Sequence, residues 1–216
     1  MGAGGYGSIA YNINNNQIAW HGKPIWTTET GYITDTNNAQ GIPELVEGKY
    51  VPRMILEQAL HGVGRTYIYE LIDQGSGVAG DSGRFGLARM DGSLKPAFTA
   101  LRSLIATLAD PGPQVLQQNL QFTLVGASSN VHHLLMMKRD GSYYLAFWLE
   151  EQDYDVNKRV ETPVKLEKLI FSSDHVFRDA HLTTFEADGS LKTAEVMPAA
   201  RISLTATDCL AILKLR

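Results

Sequence analysis

A carboxylate at the end of a short β-branched run is the part of this sequence best placed to do chemistry. The run is Pro24-Ile25-Trp26-Thr27-Thr28-Glu29, bounded by Gly22 and Gly31. Its β-branched and aromatic content argues for a strand. Side chains alternate along a strand, so Ile25, Thr27 and Glu29 are expected on one face. Trp26 alternates away from them and is expected to pack against a helix. Glu29 closes the run at its C-terminal end, which is where an α/β barrel collects its active site. A carboxylate there can be a nucleophile towards an electrophilic carbon such as a sugar's anomeric centre. It can equally be a solvated loop acid.

A second run, Arg65-Thr66-Tyr67-Ile68-Tyr69-Glu70-Leu71, also has strand character and is followed by Asp73. Tyr69 and Glu70 alternate, so only one of them shares a face with the first strand's chemistry. Tyr32, Tyr69, Glu70 and Asp73 are the candidates for contacting a polar ligand beside Glu29, Asp73 having the alternative of bonding within its own loop. Other constellations fail on spacing. The six histidines show no ligand pattern, and His132-His133, adjacent in a strand, point to opposite faces, so no metal or cofactor is expected. Gly75-Ser76-Gly77-Val78-Ala79-Gly80 lacks the strand-to-helix context of a nucleotide loop. Ser76 and Ser82 have no patterned histidine partner. Cys209 is the single cysteine and lies in an apolar run, where it reads as a small buried hydrophobe. Tyr143, Phe147 and Trp148 offer ring faces to a sugar, but their apolar run Tyr143–Leu149 reads first as a core strand.

The elements around these residues divide the chain. Residues 44–61 have helical spacing, with Pro52 tolerable only near the start. A helix is also expected over 96–108, with Phe98, Leu101, Leu104, Ile105 and Leu108 on its apolar face. Residues 8–20 read as a poor helix or a helix end. Helices and strands thus alternate up to residue 109, as in a parallel sheet. Asp110-Pro111-Gly112-Pro113 then breaks the pattern. Beyond it only strand-like runs follow, near 120–125, 131–138, 142–149, 164–171, 175–183, 201–205 and 209–215, with turns at Asp140-Gly141 and Asp188-Gly189. That spacing suggests an antiparallel β-sandwich over 114–216. With 19 basic against 23 acidic residues the chain carries a formal charge of −4, which gives no electrostatic reason to expect nucleic acid. No apolar run reaches membrane-spanning length, so no membrane partner is expected.

Three segments resemble clan A glycoside hydrolases. Gly22-Lys23-Pro24-Ile25-Trp26-Thr27-Thr28-Glu29-Thr30-Gly31 is similar to the clan's seventh-strand motif. Gly62-Val63-Gly64-Arg65-Thr66-Tyr67-Ile68-Tyr69-Glu70-Leu71-Ile72-Asp73 resembles the eighth strand. Phe85-Gly86-Leu87 and Asp91-Gly92-Ser93-Leu94-Lys95-Pro96-Ala97-Phe98 resemble the stretch that leads into the last helix. The three stand in the clan's order over residues 20–108, and the nearest likeness is to cellulase-like and β-xylosidase-like members, several of which carry a C-terminal β-sandwich. The resemblance implies α/β plus all-β architecture: the last two βα units of a (β/α)8 barrel over 1–109, a linker at 110–113, and the sandwich. It implies that Glu29 is the nucleophile of a retaining glycosidase acting on an oligosaccharide or polysaccharide.

The resemblance also has a gap. A retaining glycosidase needs two carboxyl groups about 5–5.5 Å apart. The clan's acid/base glutamate lies on the fourth strand, and nothing before Glu29 corresponds to it; Glu70 is the local alternative. The expectation is therefore a fragment, feeble alone, that oligomerises or requires an N-terminal barrel portion. A non-catalytic carbohydrate-associated module and one half of a split enzyme remain open beside it. The Gly-rich opening Met1–Gly7 has no leader-like character and reads as the start of a shortened gene; clan members are often secreted, and the location stays open.

Overall fold

The computed structural model describes residues 9–13, 22–75, 78–81, 83–113 and 119–216. The expected Gly-rich start, most of the region 8–20 and part of the 73–84 loop lie outside these residues, although 9–13 is helical. Two strands, β1 (Ile25–Thr30) and β2 (Val63–Ile68), pair in parallel, and α1 (Glu44–Leu60) connects them. α2 (Pro96–Leu108) follows. A parallel pair needs such a crossover because the chain must return to the same end of the sheet.

The rest is β structure: β3 (Thr123–Val125), β4 (Val131–Met137), β5 (Tyr143–Leu149), β6 (Tyr154–Asp155), β7 (Val160–Glu161), β8 (Glu167–Ser172), β9 (Ala180–Phe185), β10 (Leu191–Val196), β11 (Arg201–Ala206) and β12 (Ala211–Leu215). A five-stranded sheet in the order β10-β9-β12-β5-β4 faces a three-stranded sheet in the order β11-β8-β3. Both consist of antiparallel pairs. Leu145, Phe147, Leu213 and Leu215 from one sheet meet Leu169, Phe171, Ile202 and Leu204 from the other. This is a β-sandwich.

β5 is buried at every position, which alternation alone does not explain. Its odd-numbered residues enter the sandwich core. Its even-numbered residues Tyr144, Ala146 and Trp148 pack with Leu56 of α1 and Leu104 of α2. The two helices therefore cover the outer face of the five-stranded sheet, and β5 is apolar on both faces because both are covered. Trp148 and Phe147 have no exposed surface and Tyr143 is buried, so this run is core.

Two expectations need correction, and one strand was missed. Pro52 lies in the middle of α1, not near its start. It leaves the carbonyl of Gly48 without its helical amide partner. Ile105 is exposed rather than packed. β10 was not legible at all: five of its six residues are exposed, and it is held by backbone pairing to β9, a Thr193–Thr183 hydroxyl contact at 3.0 Å and the Lys192–Glu186 ion pair. No helix among the described residues is long and apolar enough to cross a membrane.

Candidate active site

Glu29 is the penultimate residue of β1 and is exposed. Its orientation follows from the register with β2. Thr27 pairs with Thr66, and Thr30 pairs with Ile68, so β1 spends three steps where β2 spends two. Thr66 donates its hydroxyl hydrogen to Gln58 of α1 at 2.6 Å, which puts the Thr27–Thr66 pair on the helix face. Thr30 donates to the sulfur of Met54 of α1 at 3.1 Å and so faces the helix as well. In a regular strand residues 27 and 30 would point opposite ways. The extra residue between them leaves both Thr28 and Glu29 exposed on the side away from α1. Bulges of this kind re-aim side chains next to functional sites.

Two expectations change with this register. Glu29 does not share a face with Thr27. Trp26 does not pack on a helix: it pairs with Arg65, is 53% exposed, and lies under the Arg65 guanidinium at 4.8 Å from its ring centre. Trp26 and Glu29 thus lie on the same side of the sheet. Among the described residues the Glu29 side chain has no hydrogen-bond or ion-pair partner.

The ends of β1 and β2 are locked by backbone contacts. The Tyr69 amide donates to the Thr30 carbonyl at 2.8 Å. A Cβ on Gly31 would collide with the carbonyl oxygen of Tyr69, so only glycine lets the two chain segments approach so closely after Glu29. Tyr69 itself is exposed, continues the outward series Arg65, Tyr67 and Tyr69, and rests edge-on against Phe85 at 5.6 Å. The structure therefore brings Tyr69 to the Glu29 side.

The other candidate residues turn elsewhere. Glu70 is buried and bonded by the Gln74 amide. Burial, and then the charge of Asp73, pushes its carboxyl above the ordinary range. Asp73 is buried against Lys95, whose ammonium donates to it at 2.7 Å, and it also accepts from the Gly86 amide at 2.7 Å. Lys95 donates further to the Thr34 hydroxyl at 2.7 Å. Asp73 is thus a loop anchor closed off by its partners, not a group open to a sugar. Tyr32 turns towards α1, where its ring meets Tyr50 at 5.5 Å, and burial raises its hydroxyl pKa far above the ordinary value. None of the three stands on the open face that carries Glu29.

The fold is similar to that of solved glycoside hydrolases. A family 39 glycoside hydrolase from the gut symbiont Bacteroides cellulosilyticus WH2 aligns with a TM-score of 0.62 at 15% identity, covering 96% of this chain and 38% of its own. A glucosidase from Croceicoccus marinus aligns with a TM-score of 0.54 at 11% identity, covering 95% of this chain and 49% of its own. The chain spans less than half the length of either. At these identities the likeness is one of fold. No family model and no curated protein matches the sequence.

Two features of the site were invisible in the sequence. The first is Lys95, a lysine with a fully buried side chain that ties the loop after β1 to the loop after β2. The second is a cavity of about 390 Å³ between α1, the loop after β1 and the edge of the sandwich, lined by Tyr32, Tyr50, Arg53, Glu57, His132 and Glu150 among others. Glu29 is not part of its wall. Neither left a linear signal: Arg53 and Glu57 are two of four polar side chains, with Glu47 and Gln58, that α1 buries among its apolar ones.

Proposed function

We propose that this chain is the C-terminal part of a retaining glycoside hydrolase, with β1 and β2 as the last two strands of a (β/α)8 barrel over 1–109, a joint at 110–113, and the β-sandwich beyond it. The observation that carries this reading is the placement of Glu29: a carboxylate unpaired among the described residues, at the C-terminal end of a parallel strand, turned away from the covering helix by a register shift, two residues before a glycine whose added Cβ would meet the Tyr69 carbonyl. The likeness in fold to two glycoside hydrolases supports it.

In this reading the Glu29 carboxylate attacks the anomeric carbon of an oligosaccharide or polysaccharide. The bond to the leaving oxygen breaks, and a partner carboxyl protonates that oxygen. The partner then takes a proton from water, which displaces Glu29 and restores the carboxylate with net retention. Glu70 does not suit the partner's role, because it is buried and bonded to Gln74. The partner belongs to strands that this chain does not supply. Trp26 and Tyr69 stand on the same side of the sheet as Glu29 and offer ring faces to a pyranose.

That side also exposes Tyr67, and Leu71 and Ile72 lie exposed just beyond β2, an apolar surface that the remaining barrel strands or another chain would cover. The test is hydrolysis of activated aryl glycosides by the chain alone and mixed with a chain carrying the other six strands. The chain alone should be feeble, since general acid assistance is worth about 10²–10⁴-fold. The mixture should recover turnover, and Glu29→Ala should abolish it. Turnover that survives Glu29→Ala overturns the assignment.

A further inference from the structure

The cavity beside α1 holds a group of side chains for which the glycosidase reading has no use. Glu57 of α1 is buried, and its two oxygens meet two histidines: one accepts from His61 Nε2 at 3.0 Å, the other lies 2.6 Å from His132 Nδ1 on β4. Glu150, just beyond β5, has one oxygen fixed by the Trp148 indole at 3.0 Å. One ligand atom from each of Glu57, His132 and Glu150 lies within 4.8 Å of the other two.

We infer that Glu57, His132 and Glu150 form a binding site for a divalent transition-metal ion, Zn²⁺ by its ligand chemistry, that clamps α1 to the sandwich. Two carboxylates and one neutral imidazole balance the double charge of the ion. An imidazole ligand selects zinc-like metals over magnesium or calcium. Zinc with three protein ligands keeps a fourth position open, and all three side chains line the 390 Å³ cavity, from which water or one atom of a small ligand would complete the tetrahedron.

The surroundings suit such a site. Each carboxylate has one oxygen held by a donor from outside the trio, His61 for Glu57 and the Trp148 indole for Glu150. Metal-binding carboxylates are oriented in this way by outer partners. The His132 ring is itself braced edge-on against Trp148 at 6.0 Å. The nearby Arg53 does not compete for the carboxylates. Its terminal nitrogens donate to the backbone carbonyls of Asp208 at 2.6 Å and Glu151 at 3.1 Å. The three ligands come from α1, from β4 and from the segment just beyond β5, so the ion would tie the helix to the sandwich.

The inference does not rest on the glycosidase reading. The experiment is calorimetric titration of the purified, chelator-stripped chain with Zn²⁺, together with thermal melts in Zn²⁺ and in EDTA. One ion per chain should bind at micromolar concentration or below, and the melting midpoint should rise in Zn²⁺ and fall back in EDTA. Glu150→Gln keeps the shape of the side chain and leaves the Glu57–His132 contact intact, so it reports on the site even if His132→Ala fails to fold. It should weaken binding by about tenfold or more. Wild-type chain that binds no ion below millimolar Zn²⁺, or Glu150→Gln that binds as tightly as wild type, overturns the inference.

Discussion

Replacing Lys95 by methionine should be among the most damaging single changes in the chain. The ammonium has no exposed surface and the Asp73 side chain is 2% exposed. Methionine keeps much of the stem volume but removes the charge. Asp73 is then left as a buried carboxylate with the Gly86 amide as its remaining donor, and the Thr34 hydroxyl loses the ammonium as well. Breaking a buried pair by removing one partner costs about 3–5 kcal/mol, because the other charge stays desolvated and uncompensated. That is a large part of the roughly 5–15 kcal/mol by which domains are stable. Asp73→Leu should cost a similar amount by orphaning the ammonium. The double variant should cost clearly less than the sum of the two, since it buries no lone charge. The assay is urea unfolding of the four proteins at pH 7. If Lys95→Met unfolds the chain outright, the double variant still reports the coupling. A loss under about 1 kcal/mol for Lys95→Met, or strict additivity in the double variant, would refute the argument that this pair anchors the two loops.

Other consequences concern the same region. Gly31→Ala should destabilise by roughly 2–4 kcal/mol, since the methyl collides with the Tyr69 carbonyl and strains the Tyr69–Thr30 hydrogen bond, whereas Gly64→Ala, whose added Cβ meets nothing nearer than 3.7 Å, should cost about 1 kcal/mol or less; equal losses in thermal melts would contradict the geometry. Burial holds the Glu47 carboxyl up at about 8; Lys95 pulls it down, while Glu44 and Asp73 push it up. The folded state therefore keeps this proton between about pH 4.5 and 8 while the unfolded chain has released it, so the group's contribution is complete below that interval and is lost as pH rises through it. Glu47→Gln should match wild type near pH 4 and be more stable by a few kcal/mol, order of magnitude, above pH 8; parallel stability curves would exclude this titration. Glu29→Gln should leave the stability within about 0.5 kcal/mol of wild type, because an exposed side chain without partners among the described residues contributes little. A marked loss would mean that Glu29 is structural.

Local chemistry was enough to locate most of the elements. The helical spacing at 44–61 and 96–108 corresponds to α1 and α2, and the turn signal at Asp140-Gly141 corresponds to the connection between β4 and β5. The continuous apolar run Tyr143–Leu149 marked a central strand because such a strand must satisfy a core on each face. Sequence also singled out Glu29 and Gly31. It could not say which way Glu29 points, since a one-residue register shift is a property of two paired strands and leaves no trace in either alone. Trp26 was misplaced for the same reason. β10 escaped because an exposed strand has no apolar face to betray it; its place is set by pairing with β9, which no local pattern announces. Lys95, like the trio Glu57, His132 and Glu150, reads in the sequence as ordinary surface polarity. The sequence alone thus determined the types of its elements and the chemistry of its residues, because hydrophobic period, turn residues and side-chain functional groups act over a few neighbours. Only the tertiary structure decided which charges are buried together and which face each strand presents, because both depend on what packs from elsewhere in the chain.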